Sequence, residues 1–273
     1  MSDPISWADA AIGTFKFYLP YELGRYFIGA IVMSGIVWLL MRTPWRTRRI
    51  QTRTASRVDF NREFWASIRS CIIYALVSVP LSWATHQGYF TYPGYSLGWA
   101  TDIWMLALMI IAHDAYFYWT HRMMHHPVLF KTFHRFHHRS ITPTPFTAYA
   151  FAAPEAVVNT MFVMLWLSVL PTPGVVTLAF LTIQIIRNVM GHAGLELHPR
   201  WWLASPFTRW ISTTTHHDLH HAGSFNHNYG FYFTFWDRLM GTEHPKYAET
   251  FTRVTQAPSR QSETTVLASS PGQ

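Results

Sequence analysis

The stretch HDAYFYWTHRMMHHPVLFKTFHRFHH, from His113 to His138, is organised by the spacing of its histidines. A second stretch, HHDLHHAGSFNH, runs from His216 to His227, and the two together hold twelve of the sixteen histidines. Within them lie three units: His121-x-x-x-His125, His134-x-x-His137-His138 and His217-x-x-His220-His221. Residues three and four apart share one face of a helix, so each unit can direct two or three imidazoles at one point.

The repeated spacing favours a metal-binding role over a structural one. A single histidine on an apolar face is usually a hydrogen-bonded core residue, and a disordered His-rich tract would contain few aromatic residues. Here Tyr, Phe and Trp lie between the histidines, so the segments should be folded. Four ligands satisfy a tetrahedral zinc ion, so the eight histidines of the units suit two metal ions. Imidazole binds zinc, copper, iron and nickel, which leaves the metal open.

The composition predicts a membrane protein. Of the 273 residues, 49% are hydrophobic, 17% aromatic and only 13% charged, whereas about 25% of residues are charged in a typical soluble domain. The single cysteine, Cys71, excludes an internal disulfide and a Cys-based zinc or iron-sulfur site.

Apolar segments predict an all-α membrane protein with about four to five spans, or with a re-entrant hairpin in place of the last two. The predicted spans are 26–41, 64–84 and 99–119, followed by shorter apolar runs at 156–170 and 175–190. The residues Pro171-Thr172-Pro173-Gly174 form a turn signal between the shorter runs, each of which falls below the roughly 20 residues of a full span. No cleavable signal peptide is expected in residues 1–20.

Basic residues orient this arrangement. Seven arginines follow the first span: Arg42, Arg46, Arg48, Arg49, Arg53, Arg57 and Arg62. The positive-inside bias places this arginine-rich loop in the cytoplasm, and it lacks any recognisable nucleic-acid-binding fold, so we expect no nucleic-acid partner. Counting spans from the loop puts all three histidine units on the cytoplasmic side, in a helical cap that holds a His-rich di-metal site.

These features predict one catalytic unit. Residues 1–246 should form a single integral-membrane catalytic domain, and residues 247–273, which are polar and poor in aromatics, a disordered tail. The chain has no dinucleotide fingerprint, no P-loop and no G-x-S-x-G elbow. The remaining candidate for an active site is a metal cluster at the membrane surface, which a substrate would approach through apolar side chains. Iron fits best, because two irons can use dioxygen to oxidise an unactivated C–H bond, and lipids offer little else to react.

Four motifs carry a family resemblance: YWTHRMMHH, HRFHHRSITPTPFTAYAF, THHDLHH and NHNYGFYFTFWDRLMGT, within residues 112–242. They resemble the fatty acid hydroxylase and sterol desaturase superfamily of membrane di-iron enzymes. The segment Pro143 to Phe146 and the ending NYG…WDR…GT are most similar to the sterol C5-desaturase branch.

The resemblance implies the site. The implied metal ligands are His121, His125, His134, His137, His138, His192, His217, His220 and His221, with His192 standing alone between the second and third units. Asp114 and Asp218 lie beside ligands and could each accept a ring N–H and so orient the ring, or form a cap or ion pair. His113 and His216 are expected to support the ligands without binding metal, and Glu155 to do the same or to begin a helix.

The resemblance also implies cofactors and partners. We expect two iron ions, O2 as co-substrate, a lipid or sterol-like substrate in the membrane, and a separate cytochrome-b5-like or ferredoxin-like electron donor. The arginine-rich loop is the expected docking surface for that donor. The reaction is desaturation or hydroxylation of a C–H bond. A fatty-acyl or lipid-headgroup hydroxylase is an alternative, and a His-rich metal transporter is a less favoured one. The expected location is a bacterial inner membrane, with the endoplasmic reticulum as the second choice.

Overall fold

The computed structural model describes residues 5–223 and 225–256, and its regular elements there are helical. In chain order the helices are α1 (Trp7–Leu40), α2 (Arg57–His86), α3 (Trp99–Met124), α4 (Pro127–Phe133), α5 (Ala153–Val169), α6 (Gly174–Gly191), α7 (Thr214–His221), α8 (Phe235–Leu239) and α9 (Tyr247–Thr255). One π-helical turn, Thr14–Tyr18, interrupts α1, and short 3-10 helices form at Pro44–Arg48, His137–Arg139, Pro145–Tyr149 and Thr208–Trp210. Extended pairing in the described ranges is limited to the isolated bridges Arg49 with Leu195 and Ile211 with Phe233. The prediction of an all-α protein is confirmed.

Four helices are long and apolar enough to cross a membrane: α1, α2, α3 and α6. The fifth apolar helix, α5, has 17 residues and is shorter than the roughly 20 of a full span. The predicted turn is present, since α5 ends at Val169 and α6 begins at Gly174. Large apolar side chains are exposed along α3, among them Trp99, Ile103, Trp104, Leu108 and Ile111. An exposed apolar surface of this extent fits contact with lipid.

The arginine-rich loop lies on the same side of the helices as the histidine units. The backbone N–H of Ile50 donates to the carbonyl of Gly194 at 3.2 Å, and the N–H of Glu196 donates to the carbonyl of Arg48 at 3.0 Å. The side-chain amide of Gln51 also donates to Asp218 in α7 at 2.9 Å. The predicted juxtaposition of this loop with the histidines is therefore present in the fold.

Buried polar contacts fix the loop that follows the second histidine unit. Glu63 of α2 is fully buried and accepts hydrogen bonds from the hydroxyls of Ser140 at 2.6 Å and Thr144 at 2.8 Å. Tyr26 of α1 donates to the carbonyl of Phe146 at 2.7 Å. A buried carboxylate is stable only when it is hydrogen-bonded, so these contacts specify where the loop sits on α1 and α2.

The C-terminal prediction is partly wrong. Residues 247–255, assigned from sequence to a disordered tail, form the helix α9. Its side chains Tyr247, Phe251 and Val254 are buried at about one per cent exposure. They recur at positions three and four apart, so one apolar face packs on the domain. Residues 257–273, the remainder of the predicted tail, lie outside the described residues.

A tight turn before α8 supports the third histidine unit. The Asp237 carboxylate accepts the backbone N–H groups of Tyr229 at 2.9 Å and Gly230 at 2.8 Å. A Cβ atom at Gly230 would collide with the carbonyl oxygen of Phe233 and lie 2.8 Å from the Asp237 carboxylate. This position therefore has room only for glycine.

The substitution Gly230→Ala should destabilise the protein by about 1–3 kcal/mol, because overpacking at a fixed backbone forces the turn to move. Thermal unfolding in detergent, followed by tryptophan fluorescence, measures the change. Gly35→Ala in α1 is the matched control, since a Cβ there meets nothing within 4 Å. Equal melting temperatures for the two variants would contradict the steric argument.

Candidate metal centre

The nine histidines expected to bind metal form two buried groups. In the first, the candidate ligand atoms of His121, His125, His134, His138 and His220 all lie within 4.8 Å of one another. In the second, the candidate ligand atoms of four histidines also lie within 4.8 Å of one another: His137, His192, His217 and His221. We call these cluster 1 and cluster 2. Five imidazoles and four imidazoles are each enough to coordinate one metal ion.

The sequence units do not correspond to the clusters. His134 and His138 belong to cluster 1, whereas His137 between them belongs to cluster 2. This unit therefore directs two of its three imidazoles at one point and the third at the other cluster. His137–Arg139 is a 3-10 helix rather than a turn of α-helix, so adjacent side chains diverge. The third unit also divides, because His217 and His221 share one face of α7 and His220 points to the other cluster.

Hydrogen bonds determine which ring nitrogen can bind metal in cluster 1. The Nδ1 of His121 lies 2.9 Å from the carbonyl oxygen of Tyr229, and the Nδ1 of His134 lies 2.6 Å from the Glu155 carboxylate. The Nδ1 of His121 must carry the hydrogen, because a carbonyl only accepts, and the Nδ1 of His134 carries it when Glu155 is ionised. Each Nε2 then holds a lone pair. These two Nε2 atoms are 2.9 Å apart, with no hydrogen between them.

His220 has the same arrangement, and cluster 1 contains one further close pair of ring nitrogens. The Nε2 atoms of His125 and His138 are 3.2 Å apart. The Nδ1 of His220 donates to the carbonyl of His227 at 2.7 Å, which leaves its Nε2 as a lone-pair acceptor, and that buried atom has no hydrogen-bond partner.

Cluster 2 repeats this chemistry with backbone acceptors. The Nδ1 of His192 donates to the carbonyl of Asn188 at 2.7 Å, and that of His221 donates to Ser140 at 3.0 Å. The Nε2 of His192 lies 3.0 Å from that of His217 and 3.4 Å from that of His137. The His192 ring is buried, and its Nε2 lone pair faces the Nε2 atoms of these two neighbours.

The spacing of these nitrogens fits a bound cation. Two imidazole nitrogens bound at right angles to a metal, with bonds of about 2.0–2.1 Å, lie about 3 Å apart. The Nε2 pairs in the two clusters are separated by 2.9–3.4 Å. Lone pairs held at this distance repel unless a cation lies between them, so the donor set fits a metal ion in each cluster.

The protonation states suit metal binding at neutral pH. Burial lowers the pKa of His192 to about 4 and that of His125 to about 2. Burial, together with the charge of neighbouring imidazoles, also lowers the pKa of His137, His217 and His220 well below the usual value. An imidazole with a lowered pKa is neutral at pH 7, so no proton has to leave before a metal binds.

The residues expected to support the ligands lie outside both clusters, and two of them have different partners from those expected. Asp114 accepts the backbone N–H groups of Tyr232 and Phe233 at 2.8 and 3.1 Å. Asp218 accepts from Gln51, and burial raises the pKa of its carboxyl to about 7. Neither carboxylate has a histidine ring as its hydrogen-bond partner in the described chain, so they fix loop positions instead.

The two supporting histidines also differ from each other. The Nε2 of His216 lies 3.3 Å from the Asp237 carboxylate, which links the start of α7 to the turn before α8. His113 packs edge-on against Phe162 and Phe180, with ring centroids 4.8 and 5.2 Å away. Both rings therefore help to position neighbouring segments.

Sequence reasoning did not find most of the groups that orient the ligands. Glu155, weighed between a helix-start role and a supporting one, has both: it lies in the first turn of α5 and contacts His134. The other acceptors are backbone carbonyls, for which a sequence carries no signal because every residue has one. The buried pair Glu196 and His198, 2.7 Å apart, was also missed. Glu196 accepts the N–H of Thr215 and so anchors the start of α7.

Each cluster should bind its own metal ion. Replacing His125 by Ala removes a nitrogen from cluster 1 only, and replacing His192 by Ala removes one from cluster 2 only, so each variant should lose chiefly the ion of that cluster. Elemental analysis of the purified proteins measures metal per chain. His126→Ala is the control, because this exposed neighbour of His125 belongs to neither cluster. Equal metal loss in His126→Ala and His125→Ala would refute the assignment.

Comparisons with known proteins agree with the site. The chain is 29% identical over 198 residues to Delta(7)-sterol 5(6)-desaturase erg3B of Aspergillus fumigatus, covering 71% of this chain and 56% of that protein. It is 32% identical over 152 residues to Delta(7)-sterol 5(6)-desaturase of Leptosphaeria maculans, and the match covers 56% of this chain and 40% of that protein. It is 33% identical over 153 residues to lathosterol oxidase of Rattus norvegicus, and the match covers 56% of this chain and 49% of that protein. No solved structure matches the chain significantly.

The scope of these similarities is limited. The chain spans about half the length of these curated relatives. They come from fungi and a mammal, so they give no support to the expectation of a bacterial membrane. The profile of the family described as "Fatty acid hydroxylase" matches residues 106–242, a segment that contains all nine histidines of the two clusters. The chain therefore belongs to the fatty acid hydroxylase family, and its similarity to sterol desaturases confirms the resemblance read from its motifs.

Proposed function

We propose that this protein is a membrane-bound, O2-dependent di-iron oxidoreductase that desaturates or hydroxylates a C–H bond of a lipid, with a sterol-like substrate favoured. The observation that carries the proposal is the pair of buried imidazole clusters at the ends of helices long enough to cross a membrane. The substrate class follows the relatives, three of which are named for reactions on sterols. Bound iron would supply the reductive activation of dioxygen that such a reaction needs.

The protein residues around the clusters provide a dry, positioned site. A space of about 20 Å³ touches histidines of both clusters and is walled by Phe117, Met124 and Phe151. Apolar walls exclude water and so protect a reactive site from side reactions. The buried Glu155 carboxylate holds the Nδ1 hydrogen of His134, which orients that ring and increases its basicity.

The clusters belong, in this proposal, on the cytoplasmic side. The support is the packing of the arginine-rich loop against the histidine segments, combined with the positive-inside bias. The endoplasmic reticulum is the favoured membrane, because the relatives reported above are eukaryotic. A cytoplasmic site is also accessible to a soluble or membrane-anchored electron donor.

The alternatives make different demands on the structure. A fatty-acyl or lipid-headgroup hydroxylase would use the same clusters and differ only in how its substrate is placed. A metal transporter would hold ionisable ligands near the bilayer midplane in broken helices. The clustered histidines lie instead at the end of α3, after α4, after α6 and in α7. This position favours the oxidoreductase.

A purified, iron-loaded protein in lipid nanodiscs should convert a Delta(7)-sterol when supplied with O2 and electrons. Mass spectrometry identifies the reaction, since desaturation removes two hydrogens and hydroxylation adds an oxygen. His217→Ala should lower product formation more than about 100-fold, because loss of a ligand exceeds the effect of losing a group that orients one. His126→Ala should stay active. Identical lipid profiles for all three proteins, across sterols and fatty acids, would reject the proposal.

The separate electron donor, cytochrome-b5-like or ferredoxin-like, has a candidate docking surface. Four exposed cations surround a surface pocket of about 270 Å³: Arg69, Lys131, Arg135 and Arg139. Phe136 lies at its centre, with the guanidinium groups of Arg69 and Arg139 5.0 and 5.8 Å from its ring. We call these four cations the basic patch. Three of them lie in the segment that carries the second histidine unit, so an acidic carrier bound here would be close to the clusters.

The basic patch competes with the arginine-rich loop, the docking surface expected from sequence. Part of that loop is engaged in the fold, since the guanidinium of Arg48 donates to the carbonyl of His198 at 2.8 Å. None of the four patch cations has an ion-pair partner within the described ranges. The guanidinium of Arg69 donates to the carbonyl of Phe151, so Lys131, Arg135 and Arg139 are the cations that can best face an acidic partner.

The double variant Arg135→Gln and Arg139→Gln should lower the apparent second-order rate of reduction by an acidic cytochrome about tenfold at low salt, because steering depends on local charge. The effect should shrink as ionic strength rises. The matched control is Arg46→Gln with Arg53→Gln, which removes the same charge from the arginine-rich loop. A larger loss in the control would assign docking to the loop.

A further inference from the structure

An apolar chamber of about 480 Å³ lies among the membrane-spanning helices. Its walls include Phe17 of α1, Leu81 of α2, Met164 and Leu167 of α5, and Leu181 of α6. Ligand sites typically measure about 300–1,000 Å³ and are mostly apolar. The chamber therefore has the size and chemistry to hold the apolar body of one lipid.

A small polar cavity separates this chamber from the metal clusters. This throat, of about 40 Å³, is lined by Glu22, Arg25, Tyr149, Asn159 and Gln184, among others. Tyr18, Val163 and Leu181 line both the throat and the chamber. The two spaces are therefore neighbours that share part of their wall.

The throat also adjoins the space that touches the clusters. Four residues line both the throat and the 20 Å³ space: Phe117, Phe151, Asn159 and Asn188. Chamber, throat and metal centre thus follow one another through the protein.

One face of α5 runs along this whole series. Glu155 lines the space at the clusters, and Asn159 lines the throat. Val163 lines both the throat and the chamber, and Leu167 lines the chamber. These residues are four positions apart and so share a face. At 1.5 Å per residue they span about 18 Å, which is comparable with the long axis of a sterol or a medium-length acyl chain.

The throat contains an ion pair from α1, a helix that is long and apolar enough to cross a membrane. Arg25 and Glu22 are 2.7 Å apart, with side chains 8% and 1% exposed. The guanidinium also donates to the hydroxyl of Tyr149 at 2.7 Å and to the amide oxygen of Gln184 at 3.3 Å. Ionisable groups within membrane helices are costly and mark functional sites. Burying these charges next to a lipid chamber suggests that they hold a polar part of the ligand.

Unused hydrogen-bonding capacity remains in the throat. The buried Nε of Arg25 has no partner, and the side-chain amide of Asn159 makes no hydrogen bond to any described residue. An amide both donates and accepts, as a hydroxyl does. Asn159 lies where the throat meets the space at the clusters, so a group bound to it would be close to the site of oxidation.

We propose, building on the lipid oxidation proposed above, that the throat binds the single uncharged hydroxyl of an elongated lipid whose apolar body fills the chamber. A carboxylate is disfavoured because Glu22 already neutralises Arg25. A phosphate headgroup is disfavoured for the same reason, since its charge would meet the Glu22 carboxylate. This orientation brings the carbons next to the hydroxyl closest to the clusters, so oxidation occurs near the polar end. A sterol and a long-chain alcohol share this chemistry.

Equilibrium binding to the purified protein tests the throat without requiring turnover. The probes are radiolabelled cholestanol and cholestane, which differ by the hydroxyl, with stearyl alcohol and octadecane as the straight-chain pair. Asn159→Leu keeps the side-chain size and should weaken cholestanol or stearyl alcohol binding about fivefold, the value of one net hydrogen bond. Binding of the matching hydrocarbon should stay unchanged. Asn61→Leu, an exposed amide in α2, is the control.

A second variant tests the chamber. Leu167→Trp should reduce its volume and weaken binding of each alcohol and its hydrocarbon by the same factor. The proposal is supported if Asn159→Leu no longer binds an alcohol more tightly than the matching hydrocarbon. If this loss occurs with cholestanol and cholestane, the ligand is a sterol. If it occurs with stearyl alcohol and octadecane, the ligand is a straight-chain lipid. Unchanged discrimination in both Asn159→Leu and Gln184→Met would overturn it.

Failure of this inference differs from failure of the proposed function. If iron-loaded protein oxidises a lipid while the throat variants bind alcohols normally, the throat assignment alone is wrong. If hydroxyl-dependent binding is lost in Asn159→Leu but no lipid is ever oxidised, the binding site stands and the oxidoreductase proposal falls.

Discussion

A buried imidazole that donates its Nδ1 hydrogen to a fixed acceptor must present a lone pair at Nε2. In this protein such lone pairs face one another at about 3 Å, as between His121 and His134. Buried polar atoms without partners are costly, and convergent lone pairs repel as well. The donor set therefore fits a cation that would complete these contacts. The fold resists this repulsion between the rings, because helix ends, the buried Glu63 contacts and the Asp237 turn hold the histidine segments in place.

The sequence predicted much of this site because both the ligands and the spans have periodic signatures. His121 and His125, four residues apart at the end of α3, fall in one cluster as helical spacing requires. The division of the second unit between clusters could not be predicted, since it depends on a 3-10 turn at His137–Arg139. Local spacing specifies which side chains share a helix face. It does not specify where a chain leaves the helical path.

The groups that orient the ligands show a similar limit. Carboxylates such as Asp114 and Asp218 attract attention in a sequence because they are rare in an apolar chain, yet here they bind backbone or amide N–H groups. The rings of His121, His192 and His221 are oriented by carbonyl oxygens. Which carbonyl meets which ring depends on tertiary structure. Helix α9 was missed for a related reason: its buried apolar side chains number only three, so the segment resembles a polar tail.

The metal centre lies within the family segment, whereas the throat and chamber also draw on the N-terminal helices. The segment that matches the family, residues 106–242, contains every clustered histidine. The throat and chamber also need Phe17, Glu22, Arg25 and Leu81 from α1 and α2, which lie outside it. The proposed oxidation chemistry therefore depends on residues of the family segment, whereas the proposed lipid site also depends on side chains of α1 and α2. Family membership alone accordingly does not specify the shape and polarity of the two cavities.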